Sequence, residues 1–487
     1  MFGPRFSHYG IALRIVVTIL TASIVYLTII RPFSAGAPTY DNVTPTPSEL
    51  EKDQPKLDLL TPKATCQDSD IAGRTVVILR TGATEAYSKI PTQLLTALRC
   101  VSNLLIVSDM EQDLGGHHIH DVLKNVSPNI RENHPDFELY RQQRVLQSQG
   151  LFDNLEKLLS SKYKNQKDRE KAAQTLDKYK YFHMMYLAWE RYSHKDWFVF
   201  IEADTYLVWP TLLHWLDTLD PAKELFIGSP LYKSDDRLAH GGSGLVLSNA
   251  AMRKIAVEHA GDASDLDARM KVHLSGDYLL SKAAQEWGIP VEGVWPMLGG
   301  ESPKTLPYGP AAWCEPVITL HGLTPGDVQR VWTFDKDRKN QAQPILHRGL
   351  FNQFIGDLPS KRDDWNNACA GTVFEIDDIK ADMGRAKYED CERACLDFPQ
   401  CFQFSYLDGA QCHLYTCFSL GRPAEPDNVK HWHSGWITWR IKDWIDANGD
   451  CAGSDWVRYS EENIRHTGWA EIDLGIDTVE GEGDDVS

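Results

Sequence analysis

A surplus of positive charge is what these 487 residues most plainly lack: 50 Lys and Arg stand against 68 Asp and Glu, a formal net charge of −18. A face that neutralises nucleic-acid phosphates needs a basic surplus, so the balance argues against a general nucleic-acid binder and leaves open a nucleotide-sugar site or a local basic patch. Cysteine is sparse over most of the chain, with only Cys66, Cys100 and Cys314 before residue 369. Disorder is excluded as well, because 10% of the residues are aromatic, including 15 Trp and 18 Tyr, and such a composition buries surface. Long apolar runs are scarce too, and the one that exists lies close to the N-terminus.

That run, Ile15–Ile30, is 16 uncharged residues, and extending it back to Ile11 gives 20 with only Arg14 inside. Twenty helical residues span about 30 Å, the thickness of a bilayer's hydrocarbon core. Arg5 and Arg14 precede the run and Asp41, Glu49 and Glu51 follow it, a bias that keeps the short N-terminus cytosolic and the rest lumenal. A cleaved signal peptide is the competing reading. The run is long for one and lacks a small-x-small cleavage site close behind it, which favours a signal-anchor and a type II membrane protein. Residues 31–65, with six prolines, read as an extended stem. Asn42-Val-Thr44 and Asn125-Val-Ser127 offer glycan acceptors to a lumenal chain.

The remaining sequence falls into a central region, 66–340, a cysteine-rich region, 365–455, and an acidic tail, 456–487. In the central region short apolar runs such as Thr75–Leu79, Leu104–Val107, Trp197–Ile201 and Leu225–Gly228 alternate with helical stretches, Lys171–Tyr192 and Leu212–Leu219 among them. This predicts an α/β fold with a mostly parallel sheet covered on both faces. Ligands gather at the carboxyl ends of such strands, where Arg80-Thr-Gly-Ala-Thr84 and Glu202-Ala-Asp204 both lie. An apolar strand ending in acid-x-acid exposes two carboxylates to one side, ligands suited to Mg²⁺ or Mn²⁺. A solvated acidic loop is the plain alternative for that triplet taken alone. His240-Gly-Gly-Ser-Gly244 lacks the Lys-Ser/Thr of a P-loop, and its glycines permit close backbone approach instead. Nothing at helical or hairpin spacing completes a metal site around Gly115-Gly-His-His-Ile-His120, which reads as a surface loop. Lys178 and Lys180 on the long helix could face a diphosphate, but solvated lysines are the better reading.

Trp197–Trp209 (WFVFIEADTYLVW), Leu225–Pro230 (LFIGSP) and Ala239–Ser248 (AHGGSGLVLS), in that order, resemble the Fringe and core-1 β-1,3-galactosyltransferase family over about 75–338. The resemblance implies a GT-A fold and an inverting, metal-dependent transferase that takes a sugar from a UDP-sugar to a glycan or glycoprotein acceptor, with galactose the favoured sugar and a β-1,3 linkage. It implies Asp204 as a ligand of Mn²⁺ or Mg²⁺, supported by Glu202, and His321 in Ile318-Thr-Leu-His-Gly322 as a further ligand. It places Gly241 and Gly242 in the acceptor and donor cleft, where Thr81 and Gly82, at a strand's carboxyl end, are further donor-binding candidates, and makes Asp277 in Ser275-Gly-Asp-Tyr-Leu279 the general base. Asp277 also reads as a helix N-cap or first-turn acid, a compatible role. It also implies residence in the Golgi membrane with a lumenal catalytic domain. A non-catalytic membrane-anchored binding protein on a degenerate scaffold is the alternative, favoured by Glu202 and Gly276 where the family carries other residues.

Seven cysteines crowd between Cys369 and Cys451, a pattern of disulfides rather than zinc, since no second paired half has ligand spacing. An odd seven leaves one free or paired outside, with Cys314 a candidate. Cys391-x3-Cys395-x5-Cys401 with Cys412 resembles a PAN/apple module, and that resemblance implies the pairs Cys369–Cys451, Cys391–Cys412 and Cys395–Cys401, leaving Cys417.

Overall fold

The structure is a computed structural model that describes Cys66 and residues 69–451, apart from breaks at 234–235, 274, 339–342, 370–372, 376–386, 410, 425–429 and 450. The predicted cytosolic tail, anchor, stem and acidic tail lie outside the described residues. Among those described, no helix is long and apolar enough to cross a membrane.

The apolar runs of the central region become strands β1 (Thr75–Arg80), β2 (Leu104–Ser108), β3 (Gln112–Leu114), β4 (His117–Asp121), β5 (Trp197–Glu202), β6 (Tyr206–Leu207), β7 (Phe226–Lys233), β8 (Asp236–Ser248), β9 (Val291–Gly293) and β10 (Thr319–Leu320). Eight of them form one sheet in the order β3-β4-β2-β1-β5-β8-β7-β9. The pairings β1–β2, β1–β5, β2–β4 and β7–β9 are parallel, while β3–β4, β5–β8 and β7–β8 are antiparallel. The long β7–β8 hairpin is the largest departure from the expected pattern. Alternation along a strand sends successive side chains to opposite faces. Val77, Leu79, Val199 and Ile201 thus enter one core, and Val76, Ile78, Phe198 and Phe200 the other. The helices Lys180–Tyr192, Asn249–Met270 and Gly276–Glu286 cover the second.

The single helix expected over Lys171–Tyr192 is two, Gln166–Asp177 and Lys180–Tyr192. Beyond the break, six consecutive residues from Lys180 to Met185 are buried. Both lysines taken as solvated are buried as well: Lys178 Nζ lies 2.9 Å from Asp136 Oδ2, and Lys180 Nζ 2.7 Å from Asp177 Oδ1. Asp136, remote in sequence from Lys178, and Asp177, three residues before Lys180, make that burial tolerable.

The cysteine-rich region adds β11 (Lys361–Asp363), β12 (Trp365–Asn366), β13 (Val373–Glu375), β14 (Gln403–Leu407), β15 (Gln411–Tyr415), β16 (Arg422–Pro423) and β17 (Trp432–Trp436). Five of these form an antiparallel sheet, β11-β17-β14-β15-β13. The helix Tyr388–Asp397 is pinned by Cys391–Cys412 and Cys395–Cys401, the two pairs the resemblance implies. The third differs: Cys369 bonds Cys417, and Cys451 bonds Cys314. Pairing of β12 with β16 and of β13 with β15 brings Cys369 beside Cys417. The helix Thr438–Ala447 packs Trp444 edge-on against Trp313 and delivers Cys451 to Cys314. Cys66–Cys100 completes five bridges that use all ten cysteines.

The two regions share one core. Phe402, Phe418, Trp436 and Ile441 join the cluster that holds Val77 and Val199. Tyr308 and Phe418 exchange backbone hydrogen bonds of 3.0 and 2.7 Å, and Gly421 N donates to Lys304 O at 2.8 Å. A chain ending at residue 356 would expose Tyr308, Trp313 and Phe351 to water, so it should not fold to a stable α/β body. The milder pair Cys314→Ser and Cys451→Ser opens a 137-residue loop and should cost about 2–5 kcal/mol in denaturant unfolding. An unchanged midpoint in both variants would show the regions to be independent.

Candidate metal and donor site

β1 and β5 run side by side in register and end together, Arg80 opposite Glu202. The chain then turns: Ala203 N donates to Arg80 O at 2.9 Å and Thr205 N to Glu202 O at 3.0 Å. Gln93, buried, holds the turn from below with Nε2 on both Ala203 O and Thr205 O. β6 pairs antiparallel with β10, Tyr206 opposite Leu320, so His321, the next residue, arrives beside Asp204. Its Nε2 lies 3.4 Å from Asp204 Oδ1 and 3.6 Å from Glu202 Oε2. One oxygen from each acid and one nitrogen of His321 all lie within 4.8 Å of one another.

This set fits a divalent cation on two observations. A Cβ on Gly242 would stand only 2.5–2.9 Å from three atoms of the His321 ring, so the glycine makes the cradle in which the ring lies. His321 Nδ1 also faces Gly300 O at 3.4 Å, which leaves Nε2 toward the carboxylates, the orientation a metal-bound histidine takes. Without a metal, a proton occupies the cation's place. Burial lowers the affinity of His321 for that proton, but Asp204 and Glu202 outweigh burial and raise its pKa to about 10. Burial likewise pushes Glu202 up, whereas Arg80 and His321 hold it well below the carboxylate range. Asp204 behaves alike, with burial opposed by His321 and Lys89.

Cations line the strand ends. Arg80, its side chain 7% exposed, pairs with Asp177 and Glu202, donates to Tyr181 Oη at 2.9 Å and lies over the Tyr181 ring. Lys180, 1% exposed, donates to Thr81 O at 2.7 Å and lies 3.4 Å from Asp109 Oδ2. Asp109 Oδ1 accepts from Ala83 N, and Glu85 Oε1 from Gly82 N. Lys89 bridges Glu85 at 2.8 Å and Asp204 at 3.1 Å. The Thr81–Gly82 loop is thereby tied to the acid turn.

Asp277 stands in the first turn of the helix Gly276–Glu286. Its Oδ2 accepts from Gly241 N at 2.9 Å and its Oδ1 from Tyr278 N at 2.8 Å. Adjacent glycines thus contact two predicted groups, Gly241 meeting Asp277 and Gly242 meeting His321. A Cβ on Gly241 would collide with Tyr181 Oη, and one on Gly276 with the Tyr181 ring. Glu202, Asp204, His321, Asp277, Thr81, Gly82, Gly241 and Gly242, all named from the sequence, therefore sit at one end of the sheet. Sequence reasoning missed Arg80, Lys89, Tyr181 and His240, the last with its ring centroid 5.6 Å from that of His321. A charged residue closing the otherwise apolar β1 was the available signal for Arg80. Glu301 was missed too; burial raises its pKa to about 7, and its backbone oxygen accepts from His321 N at 3.2 Å.

Residues 143–291 match a family model described as Fringe-like. The matched stretch holds Glu202, Asp204, Gly241, Gly242 and Asp277; Thr81 and Gly82 precede it and His321 follows it. No curated protein matches the chain.

The proton on His321 carries a testable sign. Its folded pKa, about 10, lies above the ordinary imidazole value of about 6.5, so the native state holds the proton more tightly. In metal-free protein this stabilisation is complete below about pH 6.5 and is lost as pH rises through about 10. Thermal unfolding in chelator should show a His321→Gln variant with a flatter decline between pH 7 and 10 than the wild type. Parallel curves would mean that the imidazole is not protonated there.

Proposed function

We propose, from the match of residues 143–291 to the Fringe-like model, that this chain is a glycosyltransferase that moves a sugar from a UDP-sugar to a hydroxyl of a glycan or glycoprotein with inversion, galactose being the favoured sugar and β-1,3 the linkage. The observation that carries the reading is the meeting of Glu202, Asp204 and His321 with Asp277 one glycine away. Fringe-like enzymes generally use a UDP-sugar and a divalent metal. A Mn²⁺ or Mg²⁺ ion held by Asp204 and His321, with Glu202 beside them, would supply charge neutralisation for the departing diphosphate, worth several kcal/mol.

The chain's own residues do the rest. Gly241 N and Tyr278 N fix the Asp277 carboxylate and leave lone pairs on both oxygens. Asp277 takes the acceptor's hydroxyl proton as that oxygen bonds to the anomeric carbon, while the bond from that carbon to the UDP oxygen breaks on the opposite face. A base so placed contributes about 10²- to 10⁴-fold. Thr81 and Gly82, held by Lys180, Glu85 and Asp109, form a backbone ledge for the donor. The departures that favour a degenerate scaffold have packing reasons: Gly276 makes room for Tyr181, and Glu202 reaches both Arg80 and His321. Anchoring by residues 11–30 in the Golgi membrane, with Asn125 exposed as a lumenal glycan acceptor, belongs to the same proposal.

The pair Asp204→Asn and Asp277→Asn tests it, with UDP release measured across several UDP-sugars in Mn²⁺. Asp204→Asn should lose donor binding and transfer together. Asp277→Asn should keep donor affinity and lower kcat by about 10² or more. Transfer within a few-fold of wild type in Asp277→Asn would remove it as the base.

A further inference from the structure

A second cluster lies at the edge of the sheet, in the stretch that reads from sequence as a bare surface loop. Gly115 and Gly116 take positive φ of 55° and 84°, the two-residue turn that suits a hairpin, and close β3 onto β4 with Asp113 opposite His118. His118 and His120, two apart on β4, flank buried Ile119 and project to the same face, their ring centroids 4.4 Å apart. Glu111, just ahead of β3, reaches across the hairpin. Its Oε2 lies 2.7 Å from His118 Nε2 and 3.9 Å from His120 Nδ1. All three atoms lie within 4.8 Å of one another. Glu111 Oε2 is buried and faces both imidazoles, with His118 Nε2 the nearer.

The surroundings point to a ligand. Asp113 Oδ1 lies 2.8 Å from His118 Nδ1, the carboxylate–histidine arrangement that turns the other nitrogen toward a metal. Lys124 Nζ holds Glu111 Oε1 at 2.7 Å and leaves Oε2 to face the histidines. Arg191 Nη1, 2.9 Å from His120 Nε2, opposes coordination, because a neutral His120 using Nδ1 carries its proton on Nε2. The exposed Arg191 side chain has to turn away, which lowers the affinity.

We propose that Glu111, His118 and His120 form a second metal site that takes zinc, with the fourth position open to water, and that it clips the edge hairpin to the segment following β2. Two imidazoles and one carboxylate are a zinc donor set, whereas the two carboxylates and one imidazole at Asp204 suit a harder ion.

The test uses the full chain, stripped of metal and titrated with Zn²⁺ against a chromophoric chelator, in an Asp204→Asn/His321→Gln background that disables the other site. One equivalent of zinc should bind, and Co²⁺ in its place should give the visible absorption of a tetrahedral site. Adding His118→Ala and His120→Ala should abolish both signals. Asp113→Asn, which removes no ligand, should loosen zinc by about 10- to 100-fold. No binding in the background variant, or equal affinity with and without the two histidines, overturns the site. If the histidine variant fails to fold, Asp113→Asn decides, and unchanged affinity there overturns it.

Discussion

Two carboxylates and an imidazole nitrogen within 4.8 Å of one another cannot sit partly buried without positive charge between or beside them. Much of this molecule is arranged around that constraint. Arg80 takes one side of Glu202, Lys89 takes the outer oxygen of Asp204, and His321 holds a proton where a cation would go. Arg80 and Lys180 are buried in turn because Asp177 stands between them, at the end of a helix that stops two residues before the next begins. Tyr181 accepts from Arg80 and fills the space that Gly241 and Gly276 leave open. Small changes at those glycines would therefore reach the acids through the tyrosine.

The cysteine-rich region belongs to the same account. The loop that brings Gly300 O and Glu301 O to His321 continues to Lys304 and Tyr308, which are hydrogen-bonded to Gly421 and Phe418. That loop has no sheet of its own to hold it. Disulfides supply rigidity where short strands and short helices bury little surface, and the Cys314–Cys451 bridge extends the rigidity into the α/β body.

How much of this was legible follows from the range of each interaction. Glu202-Ala-Asp204 stood out because an apolar strand ending in two acids is a local pattern. His321 had no local signal at all and came only from the order of motifs. Lys180 reads as solvated because the carboxylates that accompany it come from β2's end and the preceding helix, one of them 71 residues away in sequence. Glu111 escaped notice beside its histidines because the contact runs across a hairpin from a residue outside the ladder. Cys391–Cys412 and Cys395–Cys401 form as the PAN/apple resemblance implied, and spacing alone could not have assigned them. Cys451 depended on where the helix Thr438–Ala447 docks, against Trp313, which no spacing within the cysteine-rich region encodes.

The central claim is that the acid turn and His321 hold the cation on which donor binding depends. Calorimetric titration of UDP into the metal-stripped full chain, with and without Mn²⁺, tests it most directly. UDP should bind tightly only with Mn²⁺, and loading Mn²⁺ at pH 7 should release about one proton, the one His321 gives up. Equal UDP affinity in chelator, or Mn²⁺ binding without proton release, would contradict the account.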